Sequence, residues 1–186
     1  MIERVLTYSP ADHTLYREGK LYGVWKKQKR HGQSTLFLEI DNDPSNKQFP
    51  ISTPPSKAAR YGFGELFAGM HYLDRGFRDV IRYHYYAIPG YDSYEKALQI
   101  LGPKAARFIC CRHPQPPDLF VFDKKGRFFL VEVKLPTDKL NQNQKTFFRK
   151  IERYLNKNMP KSKRAPHMPD GHWIELLLLR PEATQL

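Results

Sequence analysis

The clearest pattern in the chain lies between Pro117 and Pro136. Asp-Leu-Phe-Val-Phe is followed by Asp-Lys-Lys-Gly and then by Arg-Phe-Phe-Leu-Val-Glu-Val-Lys-Leu, which reads as two apolar strands around a turn. The segment 123–127 suits a three-residue loop in which Gly126 takes the left-handed position after a type I turn. That loop fixes a register. Asp123 faces Arg127, so Phe122 faces Phe128, Phe120 faces Leu130 and Asp118 faces Glu132. Strand residues alternate between faces, so Lys134 shares a face with Glu132, while Val131, Val133 and Leu135 pack the other way.

Helical periodicity flanks this hairpin. After Pro54 and Pro55, Ser56 is a suitable N-cap, and Ala59, Phe63, Leu66, Phe67, Met70 and Leu73 recur at helical spacing. The other side of that helix carries Ala58, Gly62, Glu65 and Gly69. These are small except for the carboxylate, so a backbone or ligand can approach Glu65. Residues 77–88 read as extended, Ser93 caps a short helix, and Gly102 ends it. Asn141 and Gln144 form a capping-box pattern for a helix with Phe147, Phe148, Ile151, Tyr154 and Leu155 on one face. A basic loop over 158–171 precedes a final buried strand at 173–179.

The N-terminal part has a different texture. Short β-branched and apolar runs at 5–8, 21–25 and 35–40 predict strands, and 17–20 resembles a hairpin turn. Residues 41–55 collect Asn, Asp, Ser and Pro and read as a linker. The expected organisation is therefore a small β-rich appendage plus linker at 1–50, followed by an α/β domain at 51–186.

Composition adds a partner class. The 186 residues suffice for one domain with a substantial core, and 31 Lys plus Arg against 19 Asp plus Glu leave a net charge of +12. Such a surplus attracts a polyanion, with nucleic acid foremost. The longest apolar run, 176–179, is far too short to span a bilayer, and neither a secretory leader nor a membrane anchor is expected. The only cysteines, Cys110 and Cys111, are neighbours, which fits a reducing, cytoplasmic setting. With His113 they lack the four converging ligands of a zinc site, and the other histidines show no ligand spacing.

The predicted register carries the chemistry. Opposed residues place their Cβ atoms about 5 Å apart, where two carboxylates repel unless a cation or a proton sits between them. Two acids beside a lysine form the set that phosphodiester hydrolysis needs: oxygen ligands for a divalent ion, a polarised water, and a cation near the developing charge.

Pro117-Asp118 followed by Glu132-Val133-Lys134 resembles the PD-(D/E)xK nuclease superfamily. The continuation Pro136-Thr137-Asp138-Lys139-Leu140-Asn141-Gln142-Asn143-Gln144 is similar to the VRR-NUC branch, whose members tend to read EVKGPxDxLSxxQ. Leu135 departs from the usual Gly or Ser, Asn141 from Ser, and Pro116 from a Gly before the motif. The resemblance implies an α/β, restriction-endonuclease-like fold with a mixed central sheet flanked by helices. It implies that Asp118 and Glu132 bind Mg²⁺ or Mn²⁺ together with the Val133 carbonyl, with Glu65 as a further ligand or orienter. Lys134 is then catalytic and Gln144 lines the site. The implied substrate is DNA, especially junctions, flaps and other branched repair intermediates, and stand-alone members act as dimers. Two other readings stay open: a non-catalytic DNA-binding module on a nuclease fold, and a nuclease toxin held by an immunity partner rather than a repair protein.

Plainer roles exist for each residue. Glu132 and Lys134 alone make an ordinary surface ion pair, and a lone helical glutamate such as Glu65 is usually solvated. Gln144 has two competing placements, back to the cap backbone or inward to the site. The aromatics among the basic residues at 75–86 and 145–154 suit the core better than base stacking.

Overall fold

A computed structural model describes residues 1–21, 24, 57–87, 92–110 and 115–183. In chain order its elements are β1 (Ile2–Tyr8), α1 (Pro10–Arg17), α2 (Lys57–Asp74), β2 (Asp79–Arg82), α3 (Tyr83–Tyr86), α4 (Asp92–Leu101), α5 (Pro103–Cys110), β3 (Leu119–Phe122), β4 (Phe128–Lys134), α6 (Gln142–Asn158) and β5 (Ile174–Pro181), with a short 3₁₀ turn at Lys161–Lys163. The strands form one five-stranded sheet in the order β1-β5-β4-β3-β2. β1, β5 and β4 run parallel, whereas β3 pairs antiparallel with both β4 and β2. This mixed sheet with flanking helices is the α/β architecture expected from the sequence.

The hairpin forms in the predicted register. Phe122 pairs with Phe128 and Phe120 with Leu130. Gly126 has φ +69°, its N–H reaches the Asp123 carbonyl at 3.0 Å, and Asp123 N–H closes on the Arg127 carbonyl at 2.9 Å. Only glycine adopts that conformation without a steric cost, so the turn sets the alignment of everything beyond it.

Alternation along β4 divides the interior in two. Phe129, Val131 and Val133 face a layer with Phe63, Met70, Tyr72 and Leu73 of α2. Phe128 and Leu130 face the other layer, with Ala97 and Leu101 of α4, Ala105 and Ile109 of α5, and Phe147, Phe148, Ile151 and Leu155 of α6. Burying each such α6 side chain contributes about 1.5–3 kcal/mol, enough to fix this helix across the sheet. Its start is set by the predicted capping box: Asn141 accepts from the Gln144 N–H at 2.8 Å, and the Gln144 side chain returns to the Asn141 N–H at 3.2 Å.

The N-terminal segment departs from expectation. The strand at 5–8 exists, as β1, but it is the edge strand of the central sheet, paired with β5 from Ile2 opposite Glu175 to Tyr8 opposite Pro181. Residues 17–20 do not turn a hairpin. They end α1 at Arg17 and cap it at Glu18, and the N-cap Ser9 of this helix makes a second capping box with Asp12, with Pro10 in the first turn. Short amphipathic runs fit a helix as well as a strand, and the Ser-Pro-Ala-Asp start decides for the helix. The strand expected at 21–25 is helical at Leu21 and Val24, and its other residues lie outside the described ones, as do the strand at 35–40, the linker at 41–55 and the Ser56 cap. The extended segment expected at 77–88 shortens to β2 and then turns into α3. Helix α5 carries Cys110 at its end, where no element was predicted, and Cys111 and His113 lie outside the described residues.

Candidate active site

The site lies where β3 begins and β4 ends. Asp118 stands one residue ahead of β3. Its carbonyl accepts the Tyr83 N–H at 2.7 Å, and the preceding Pro117 carbonyl accepts the Tyr86 hydroxyl, so α3 anchors the backbone on both sides of the motif. The Asp118 Oδ2 accepts the Val133 N–H at 2.9 Å, bridging the strands just past the last hairpin pair, Leu119 with Val131. A strand residue points its N–H and C=O toward the same edge, so the Val133 carbonyl also faces Asp118.

Glu132 is 1% exposed. Its Oε1 accepts from Lys134 Nζ at 2.5 Å and from Gln144 Nε2 at 2.9 Å, while its buried Oε2 has no partner among the described residues. Gln144 thus fills both placements at once, because an amide has an acceptor end for the cap backbone and a donor end for the carboxylate. The capping box positions a functional side chain as well as starting a helix.

The electrostatics follow from this crowding. Burial and the charge of Glu65 push the Asp118 carboxyl up to about 7, against the Val133 N–H, Lys134 and Arg82. Burial and the Asp118 charge push Glu132 up to about 8, against Lys134 and Gln144. Burial alone lowers the Lys134 ammonium, but Glu132, Asp118 and Asp138 together hold it above its ordinary value. The set therefore has more acid than its one lysine neutralises, and it binds protons tightly for want of another cation.

Glu65 reaches the same neighbourhood from α2, which approaches β4 closely: a Cβ on Gly64 would stand 3.1 Å from Val133 Cγ1. Its carboxylate is held by Arg82, with Oε2 2.6 Å from Nε and 2.5 Å from the terminal nitrogen. Burial raises the Glu65 carboxyl despite Arg82, and the charge of Glu132 adds to the rise. Among the described residues no three His, Cys, Asp or Glu side chains converge as a ready metal cluster. Glu65 stands close enough for its charge to bear on Asp118, and its carboxylate is engaged by Arg82.

Two neighbours were not singled out from the sequence. Arg82 lay within the basic, aromatic stretch at 75–86, but its pairing with Glu65 spans the fold. Tyr16 comes from α1: its hydroxyl lies 2.5 Å from where a Cβ on Gly62 would stand, and burial pushes it up to about 12, helped by Glu65 and opposed by Arg82. The small residue beside Glu65 thus admits a tyrosine hydroxyl.

Asp118 and Glu132, with the Val133 carbonyl, offer hard oxygen donors of the kind a divalent cation takes. The orphaned Glu132 Oε2 and the raised proton affinity of both acids show a donor set short of one positive charge, so the residues fit such an ion. In the comparison with curated proteins, no match to the chain was found. Residues 79–160 match the family model of the VRR-NUC domain, a span that holds Arg82, Asp118, Glu132, Lys134 and Gln144. The acids and lysine that meet across the hairpin therefore lie within the segment that is similar to the VRR-NUC domain, the family that the motif resembles.

Proposed function

We propose that the protein is a divalent-metal-dependent deoxyribonuclease that cuts phosphodiester bonds within DNA, with branched forms such as junctions and flaps as preferred substrates. The observation that carries this reading is the buried Glu132 Oε2, without a partner among the described residues, in a pair of carboxylates that repel each other. Asp118, Glu132 and the Val133 carbonyl would hold Mg²⁺ or Mn²⁺, and Glu65 would contribute once released by Arg82. Such an ion supplies a polarised water and neutralises charge on the phosphate.

The chain's own groups do the rest. Lys134, held as an ammonium by Glu132 and Asp118, faces the developing phosphate charge as a donor. Gln144 donates to Glu132 Oε1 and so would leave Oε2 available to such an ion. Asp118 is held in place by the Val133 N–H and by α3 behind it. The preference for branched DNA rests on the family resemblance.

The test is cleavage of junction, flap and linear duplex DNA with Mg²⁺ or Mn²⁺ and with chelator, for the wild type, Asp118→Ala and Lys134→Ala. Cleavage should require the metal and fall by at least about 100-fold in both variants, as expected for lost transition-state donors or ligands. Cleavage that persists in both variants overturns the mechanism, and equal rates on all three substrates overturn the preference.

A further inference from the structure

Helix α6 begins at the site, with Gln144 on Glu132, and runs back across the sheet toward the end where the hairpin turns: Asn156 near its C-terminus accepts from Trp173 Nε1 at 2.8 Å, and Trp173 packs on Phe128. Its outer side carries Lys145, Arg149, Lys150, Arg153 and Lys157, all exposed. At 3.6 residues per turn these fall within an arc of about 140°, opposite the buried Phe147, Phe148, Ile151 and Leu155. The helix has one acid, Glu152, and it is turned inward, paired with the N-terminal amine of Met1 and accepting from the Trp173 N–H at 3.2 Å. None of the five cations forms an ion pair among the described residues. Neighbouring α5 adds exposed Lys104 and Arg107 and has no acid.

A solvated helix face normally mixes charges of both signs, which support one another at i, i+4. Here the like charges repeat at that spacing, a destabilising choice for an isolated helix. We propose that this face is a track for the phosphate backbone of a nucleic-acid duplex, leading away from the cleavage site. The i, i+4 cations Lys145, Arg149, Arg153 and Lys157 follow one another at about 6 Å, and together they extend about 18 Å. That is about five base-pair steps of duplex. The proposal rests on the nuclease reading for its direction, since the first cation adjoins Gln144, but the contact itself requires no chemistry.

The experiment measures binding of a labelled linear duplex in chelator across a salt series, so no cleavage enters. Arg149→Ala/Arg153→Ala should bind more weakly than wild type, and the slope of log affinity against log salt should be shallower by about two, at about 0.9 per lost phosphate contact. Arg149→Lys/Arg153→Lys should keep the wild-type slope. Arg75→Ala/Arg78→Ala removes the same charge from the exposed connection after α2, on the opposite side of the sheet, and should leave the slope unchanged. Wild-type binding by the first variant, or equal loss in the last, overturns the track. The assay contains chelator and reads binding alone, so a protein without nuclease activity still passes or fails this test on its own.

Discussion

Glu132 and Glu175 are each 1% exposed, each sits on a central strand of the same sheet, and each has a buried Oε2 without an aligned hydrogen bond. Their proton affinities move in opposite directions. Burial raises both, but at Glu175 the neighbouring His167 ring, the Tyr72 hydroxyl at 2.6 Å and the charge of Arg4 outweigh it and hold the carboxyl below its ordinary value. Arg4 Nε stands 3.0 Å from Glu175 Oε2, and His167 Nε2 at 3.6 Å. Across the ladders Glu175 meets Val131 and Ile2, which carry no charge. Glu132 meets Asp118 instead, and its single cation is shared between two acids. Burial alone therefore does not mark a functional carboxylate. The uncompensated one on the α6 side is poised to take a cation, and the compensated one on the α2 side fastens β1 and α2 to the sheet.

The largest effect expected to sharpen this contrast is a split between activity and stability. Asp118→Asn should lose at least about 100-fold in metal-dependent cleavage, yet unfold in chelator at equal or higher denaturant concentration, because it removes like-charge repulsion. A marked loss of stability would mean that the pair is structural after all. Glu175→Gln should do the reverse, lowering the unfolding free energy by about 2–3 kcal/mol, as expected when a buried partner of Arg4 is neutralised, while the folded fraction keeps its cleavage rate.

Acidity separates the two sites by sign. Asp118 and Glu132 have ordinary values of 3.8 and 4.5 and folded values near 7 and 8, so between about pH 4 and 8 the folded state holds more protons than the unfolded one. Their contribution to metal-free stability is present at low pH and is lost as pH rises through that window, by up to about 1.4 kcal/mol per pH unit for each proton. Glu175, held below 4.5, contributes in the opposite sense: its stabilisation is present above that value and is lost as pH falls through the folded one. Denaturant titrations across pH should therefore flatten between about pH 4 and 8 in Asp118→Asn and below about pH 4.5 in Glu175→Gln. Identical pH profiles for both variants would remove the distinction. The smallest effect is expected for Tyr72→Phe, which should cost about 1 kcal/mol for the lost bond to Glu175 and leave cleavage alone.

The sequence made one of these sites legible and hid the other. Gly126 and the flanking alternation set the hairpin, so the meeting of Asp118 with Glu132, and Lys134 beside it, followed from residues fewer than twenty apart. The Asn141–Gln144 cap was equally local. Glu175 offered no such signal: within the run Ile-Glu-Leu-Leu-Leu-Leu it looked like one polar residue in a buried strand, and its partners Arg4, Tyr72 and His167 are distant in sequence except for the last. Arg82 was visible only as one cation among several. The reading of 17–20 as a hairpin failed for the complementary reason, since a short run with strand-like residues was outweighed by a Ser-Pro start that favours a helix.

What the sequence determined by itself was the periodicity of each element and, through a glycine turn, one strand register; both are set by local backbone sterics and side-chain direction. What only the tertiary structure decided was which distant charges meet. β1 joins the sheet beside β5, Arg82 takes up Glu65, and the acid of α6 turns inward and leaves its outer face without a negative charge. These outcomes depend on long-range packing, where neighbours far apart in the chain decide whether a buried carboxylate is satisfied or left waiting for a cation.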